Sequence, residues 1–207
     1  MPRLSSSLLL MLSAVALSGR TVDETGFGGD VTIYTRFARS ASATSIEYMK
    51  AELHTVLPSL RFEWRSLEAA DGTEVADQLM VVKFTGSCDS DVPVPLVAPS
   101  GALGWTYVTR GEVLPFADVD CDKIRELLGP HLAGASPLER GRILGRAMAR
   151  VLAHELYHYL TKATGHASRG LAKPFYTGED LAMEHLRFED AQLDLIRQSC
   201  AHGMHTD

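Results

Sequence analysis

The sequence predicts an α+β fold in which a mixed, twisted β-sheet is packed with helices. Three observations lead to this prediction: short β-branched segments with alternating polarity, amphipathic segments with apolar residues every three or four positions, and an order in which most strands precede the longest helices. The chain has 207 residues, of which 45% are hydrophobic and 22% charged, as in an ordinary globular domain. The net charge of −6 and the lack of a basic stripe argue against nucleic acid as a partner.

Alternating polarity and β-branched residues predict five strands. They lie at residues 31–37, 61–67, 78–84, 103–108 and 112–119. The third strand contains a continuous apolar run at 79–82, which is typical of a strand buried on both faces. Thr109-Arg110-Gly111 separates the last two strands, so these two should form a hairpin.

The spacing of apolar residues predicts four helices. They lie at residues 45–56, 120–128, 136–163 and 177–200, with an irregular stretch at 164–176. The third helix begins with Ser136, Pro137 and Glu139, which is typical of a capping box. Its large apolar residues recur every four positions and should face the core. They are Leu144, Met148, Leu152, Leu156 and Leu160.

Residues 1–18 are typical of a signal peptide, because Arg3 precedes an apolar run that is too short for a stable membrane span. Ala16 and Ser18 fit the small residues that precede a cleavage site. We expect residues 19–30 to form a flexible lead and residues 31–207 to form one domain. The mature protein should then be secreted or periplasmic and have no membrane segment; an uncleaved anchor is the alternative.

The chain has three cysteines, and none has the C-x-x-C spacing of a structural zinc site. In an exported protein, Cys88 and Cys121 are expected to form a disulfide bond. Cys200 would then stay unpaired, although the sequence alone does not establish this pairing.

Residues 154–158, with the sequence His-Glu-Leu-Tyr-His, form an H-E-x-x-H motif inside the long predicted helix. Residues four apart lie on one face of a helix, so His154 and His158 can bind the same metal ion. Glu155 lies beside them, where its carboxylate can take a proton from an attacking water. Two neutral imidazoles and one further ligand leave a fourth position open on zinc, so Zn²⁺ is the expected metal.

A catalytic zinc needs a third protein ligand, and His166 is the nearest candidate, eight residues after His158. Gly165 permits a left-handed turn that would bring His166 back toward the helix. The alternative is a carboxylate of the last predicted helix, Glu179 or Glu184, because some zinc hydrolases use two His and one Glu. The other histidines of this region lie further along the chain: His185, His202 and His205.

The motif at 154–158 resembles the zinc-binding helix of the zincin metallopeptidases. A third His soon after that helix, a loop and a C-terminal helix resemble the metzincin branch. The seven residues before His166, followed by Ser168, are similar to secreted bacterial zincin-like proteins of uncharacterised function. The similarity covers residues 31–200 in outline, and residues 137–172 carry its specific motif content. It implies a fold with a central zinc-binding helix and a C-terminal helix.

The chain departs from the metzincin pattern at three positions. Thr161 and Thr164 stand where metzincins have a Gly and the third ligand. Ala172 stands where they have a Met below the metal, and the nearest Met of this chain is Met183, inside the last predicted helix. Tyr176 is either a packing residue or a group that approaches the metal or a developing oxyanion.

The predicted function is zinc-dependent peptide-bond hydrolysis by a secreted metallopeptidase-like protein, with the three histidines as metal ligands and Glu155 as general base. The substrate would be a peptide or protein lying along the strands at 103–119. Two alternatives remain. One is a zincin-fold binding or structural protein that keeps a metal without catalysis; the other is a zinc hydrolase with Glu179 or Glu184 as third ligand.

Overall fold

The computed structural model describes residues 29–70, 72, 76, 78–93 and 101–203, with side chains described up to residue 200. The predicted signal peptide lies outside the described residues, as does the predicted lead up to residue 28, and both stay predictions. Gly29 and Asp30, which we assigned to the lead, are instead the first residues of a strand. They pair with Leu60 and Arg61 in a parallel ladder, which fixes their backbone.

Within the described residues, five strands form one sheet in the order β2-β1-β3-β5-β4. They are β1 Gly29–Phe37, β2 Leu60–Ser66, β3 Leu79–Thr85, β4 Gly104–Thr109 and β5 Glu112–Asp120. All neighbours are parallel except β4 and β5, which form the predicted antiparallel hairpin. Arg110 and Gly111 make its two-residue turn with φ of 50° and 83°, and both positive values match the twist of a tight hairpin.

The described part of the chain contains five α-helices beside the sheet. They are α1 Ala43–Val56, α2 Cys121–Leu132, α3 Pro137–Thr161, α4 Gly178–Ala182 and α5 Asp190–Gly203. Helices α1, α2 and α3 bury their apolar faces in one core with the sheet, so the predicted fold class, a mixed sheet packed with helices, is confirmed. Within the described part of the chain, no helix is long and apolar enough to cross a membrane.

Helix α3 is the central element of the core, and α1 packs closely against it. At Gly145 a Cβ atom would lie 2.5 Å from the carbonyl oxygen of Ser45, so the close approach of α1 requires glycine here. The Ser136 hydroxyl caps α3 by accepting from the N–H of Glu139 at 3.3 Å, as predicted. The reciprocal half of the capping box is not formed, because the Glu139 carboxylate pairs with Arg142.

Strand β3 is fully buried on one face only, which corrects the prediction of burial on both faces. Met80, Val82 and Phe84 are completely buried against the helices. Val81 and Lys83 point to the opposite face, where Lys83 is exposed. Among the described elements, α1, α2 and α3 share one core with the buried face of β3. A continuous apolar run therefore does not imply that both faces of a strand are covered.

The predicted C-terminal helix is interrupted, which is a second correction. Helix α4 ends at Ala182, and α5 begins only at Asp190. The carbonyl oxygens that would continue α4 are occupied by arginines of α3. Arg150, which is completely buried, donates to the carbonyls of Asp180 and Leu181 at 2.8 and 3.0 Å, and Arg146 donates to that of Ala182 at 2.6 Å.

The predicted disulfide bond between Cys88 and Cys121 is present. It connects the loop after β3 to the first residue of α2. Cys200 is buried in α5 and is the free cysteine of the described residues, as predicted.

Candidate metal centre

His154 and His158 lie one turn apart on α3, and both are buried. Their Nε2 atoms are 3.0 Å apart. Each ring is held from behind by a backbone carbonyl: Nδ1 of His154 lies 2.8 Å from the oxygen of Leu171, and Nδ1 of His158 lies 2.7 Å from that of Ala163. Because a carbonyl oxygen only accepts, each Nδ1 carries the proton and each Nε2 presents a lone pair.

The facing lone pairs of His154 and His158 are a donor set that fits a cation. Burial lowers the pKa of His154 to about 4 and lowers the pKa of His158, so both rings are neutral near pH 7. Two neutral rings with protonated Nδ1 atoms cannot form a hydrogen bond between their Nε2 atoms at 3.0 Å. A metal ion that accepts both lone pairs resolves this contact, and imidazole is a ligand that zinc prefers.

The structure brings His166 to the same place. Its ring centroid is 5.1 Å from that of His154 and 4.8 Å from that of His158, and the ligand atoms of the three side chains lie within 4.8 Å of one another. Unlike the two helical histidines, His166 is exposed. This is the ligand set that the motif and its spacing predict, and its role in metal binding stays a prediction.

The chain reverses toward the site at Lys162, and not at Gly165 as we expected. Lys162 has a φ of 56° at the C-terminus of α3, whereas Gly165 is not in the left-handed region. Thr161 makes this early turn possible: its hydroxyl donates to the Tyr157 carbonyl at 2.6 Å and accepts from the Ala163 N–H at 3.3 Å. The turn thus follows Thr161, which stands where metzincins have a Gly.

The rival carboxylate ligands lie elsewhere in the described structure. Glu184 is exposed and pairs with Arg142 and Arg146 at 3.4 Å each. Glu179 is exposed in the first turn of α4 and is not in the histidine cluster. His185 is also exposed. The side chains of His202 and His205 lie outside the described residues.

Glu155 is buried next to the cluster and is held by the edge strand β4. The hydroxyl of Thr106 donates to its Oε2 at 2.8 Å. Burial raises the pKa of Glu155 to about 7. Gly104 allows β4 to come this close, since a Cβ atom there would lie 2.7 Å from Cγ1 of Val151 and 3.0 Å from Oε1 of Glu155.

Tyr176 contacts His154 on the side away from His158. Its hydroxyl lies 2.9 Å from Nδ1 of His154 and donates to the carbonyl of Leu171. Burial raises its pKa, so the phenol stays protonated. Tyr176 therefore positions the ring of His154. The sequence suggested either a packing residue or a group that approaches the metal, and this contact lies between those two roles.

The turn at Gly170–Ala172 lies next to the site, because its residue Leu171 contacts His154. Ala172 is completely buried, and its neighbour Leu171 supplies the carbonyl that holds His154. Met183 is 50% exposed and follows the end of α4, so it is not the Met that metzincins place below the metal.

The cluster opens into a cleft of about 640 Å³. Its walls come from β4 and the residues before it, from α2 and α3, and from the segments that follow α3. Lining residues include Leu103, Trp105, Leu127, Thr164 and Phe175. A cleft of this size can admit several residues of a peptide.

Sequence reasoning did not find Thr106 or the carbonyls of Ala163 and Leu171. Thr106 contacts a residue 49 positions away, and a backbone carbonyl has no signature in the sequence. The need for such carbonyls, though not their identity, follows from the histidines themselves, because a metal-binding His donates its Nδ1 proton to an acceptor.

No protein-family model matches the sequence, and no curated protein matches it. Among solved structures, the chain is similar to archaemetzincin from Methanopyrus kandleri, with a TM-score of 0.48 and 10% sequence identity. The similarity covers 87% of this chain and 99% of that chain. At this level of similarity, the assignment of function rests on the site itself.

Proposed function

We propose that the protein is a zinc-dependent peptidase in which His154, His158 and His166 hold the metal and Glu155 is the general base. The observation that supports this most is the pair of Nε2 lone pairs 3.0 Å apart, fixed by two carbonyls and open to a cleft. The carboxylate of Glu155 lies beside this pair without belonging to the cluster of ligand atoms.

A zinc ion held there would polarise a peptide carbonyl and lower the pKa of a water molecule. The residues of the chain then do the proton chemistry. Glu155, which is buried beside the histidines and accepts a hydrogen bond from Thr106, takes a proton from the attacking water and returns it to the leaving amine. Thr106 orients the carboxylate, and Tyr176 keeps the His154 ring in place.

A peptide or protein is the proposed substrate. Among the described residues, β4 is an edge strand of the sheet and lines the cleft, and we propose that an extended peptide pairs with its outer edge. The disulfide between Cys88 and Cys121 supports an exported location, because such bonds persist in oxidising compartments.

A protein that keeps a metal for structure alone is the second candidate. Structural zinc sites are closed by four protein ligands. Here the described residues supply a cluster of three, and a buried carboxylate with a raised pKa lies next to it. These features favour the catalytic function.

The test compares the zinc-loaded protein with a Glu155→Gln variant on a mixture of peptides, with cleavage followed by mass spectrometry. Loss of the general base should lower the rate by about a hundredfold or more, with zinc content unchanged. A Glu179→Gln variant, which removes an exposed carboxylate outside the cluster, should cleave as the parent does. Equal cleavage by the Glu155→Gln variant, or no cleavage by the zinc-loaded parent, would contradict the proposal.

A further inference from the structure

A buried ion cluster joins helix α1 to the metal-site helix α3. The side chain of Glu52 in α1 is 13% exposed, and its Oε1 accepts from Nε of Arg150 at 2.9 Å and from Nη1 of Arg187 at 3.3 Å. Arg150 is completely buried in α3, one turn before His154. One carboxylate therefore faces two guanidinium groups, and neither Glu52 nor its two partners line the cleft.

The charges of this cluster are held away from water, which is costly. Burial lowers the pKa of Arg150 to about 10, although the nearby Glu52 carboxylate favours the charged form. Buried ion pairs add little net stability, because an apolar pair of similar size is often as stable or more stable. Stability alone therefore does not account for the cluster, and its contacts indicate a positioning role.

The first connection from the cluster to the metal centre runs through Arg187. The backbone carbonyl of Arg187 accepts from the N–H of Leu171 at 2.9 Å, and the carbonyl of Leu171 is the acceptor that holds Nδ1 of His154. The two backbones lie close together, since a Cβ atom at Gly170 would be 2.8 Å from the Arg187 carbonyl oxygen. A shift of Arg187 would therefore move the carbonyl that orients the His154 ring.

The second connection runs through Arg150. Its Nη1 donates to the carbonyl of Asp180 at 2.8 Å, and the carboxylate of Asp180 accepts from the N–H of Thr177 at 2.7 Å. Thr177 directly follows Tyr176, whose hydroxyl lies 2.9 Å from Nδ1 of His154. Arg150 thus holds the segment that brings Tyr176 to the same ring.

Both connections begin at one oxygen atom of Glu52 and end at Nδ1 of His154. We infer that Glu52 is a positioning residue for the metal centre: through Arg150 and Arg187, its carboxylate holds the His154 ring where Nε2 can bind the metal. The inference rests on the proposed function, because it takes His154 as a zinc ligand. Glu52 itself belongs neither to the histidine cluster nor to the cleft, so its effect passes through the two arginines.

The test measures the zinc affinity of a Glu52→Gln variant, which keeps the size of the side chain and removes its charge. Affinity is determined by competition with a chromophoric chelator, in buffer where urea denaturation shows that the metal-free variant is fully folded. We expect zinc to bind about tenfold more weakly than to the parent, as is typical when the support of a metal-binding His is disturbed. Arg187→Gln changes a side chain that is 38% exposed and disturbs the first connection alone, so it should give a smaller loss.

Asp122→Asn is the matched control, because it also removes the carboxylate that faces a buried arginine. Asp122 lies 3.0 Å from Arg125 in α2, and neither residue belongs to the histidine cluster or lines the cleft. The variant should lose stability and keep the zinc affinity of the parent. An equal loss of zinc affinity in this control would overturn the inference, because a general loss of stability would then explain the effect.

An unchanged zinc affinity in Glu52→Gln would also overturn the inference, and if that variant does not fold, the same result in Arg187→Gln decides. A parent that binds no zinc would overturn both the inference and the proposed function. Weaker zinc binding by the variants of a parent that cleaves no peptide would uphold the inference and contradict the peptidase function. Peptide cleavage by the parent, together with unchanged zinc affinity in the variants, would do the reverse.

Discussion

The hydroxyl of Thr106 donates a hydrogen bond of 2.8 Å to the buried carboxylate of Glu155, and so joins the edge strand to the metal-site helix. The same hydroxyl lies 3.2 Å from the backbone carbonyl of Glu155. One side chain of β4 thus fixes the carboxylate that we assign as general base.

Replacing Thr106 by Val removes this hydrogen bond and keeps the shape of the side chain. A hydrogen bond to a charged group contributes about 1.5–3 kcal/mol, so kcat/KM for peptide cleavage should fall by about ten- to a hundredfold. Zinc content should not change. Thr106→Ser keeps the hydroxyl and should stay within a few-fold of the parent. A Val variant as active as the Ser variant would show that the hydrogen bond does not matter for catalysis.

Replacing Gly104 by Ala tests the close approach of β4 to α3. The added Cβ would lie 2.7 Å from Val151, a residue in the buried middle of α3, so we expect a loss of stability of about 1–3 kcal/mol and displacement of Glu155. Thermal unfolding and peptide cleavage measure the two effects. At Gly129 in α2 a Cβ would meet nothing within 4 Å, so Gly129→Ala should be neutral or stabilising. Equal stability of the two variants would contradict this packing.

Much of this architecture follows from local patterns in the sequence. The spacing of apolar residues in α3, its Ser136 cap and the hairpin turn at Gly111 depend on neighbours in the chain, and each was predictable. The motif also placed two histidines on one helical face, because helical geometry alone decides that.

The predictions that were wrong depend on contacts beyond the local pattern of the sequence. The division of the last helix depends on Arg146 and Arg150 of α3, which bind carbonyls at the end of α4. Likewise, the chain reverses at Lys162, directly after Thr161, whose hydroxyl donates to the Tyr157 carbonyl. The prediction that it reverses at Gly165 relied on the preference of glycine for left-handed turns and was wrong. The burial of β3 depends on which face of the sheet the helices cover, and the sequence of this strand alone does not determine that.

The pH dependence of stability in metal-free protein tests the electrostatics of the site. Burial raises the pKa of Glu155 from 4.5 to about 7, so between these values the folded state holds a proton that the unfolded state has lost. This contribution to stability is present at low pH and is lost as pH rises toward 7. The pKa of His154 is lowered from 6.5 to about 4, so its contribution has the opposite sign and grows as pH rises.

The two effects oppose each other where their ranges overlap, and Glu155→Gln removes one of them. Between about pH 5 and 6.5, the free energy of unfolding of the metal-free variant should rise with pH more steeply than that of the parent, by up to about 1.4 kcal/mol per pH unit. Urea denaturation in the presence of a chelator, at a series of pH values, measures this difference. Parallel curves for the two proteins would contradict the assigned shift of Glu155.

The most direct test of the account is the zinc content of the purified protein, measured by elemental mass spectrometry beside a His166→Ala variant. We predict about one zinc per chain in the parent and a clear loss in the variant, since three protein ligands hold a catalytic zinc. His185→Ala removes an exposed histidine outside the cluster and should keep the metal. A parent without zinc after purification free of chelators, or a His166→Ala variant that retains it, would contradict the three-histidine site.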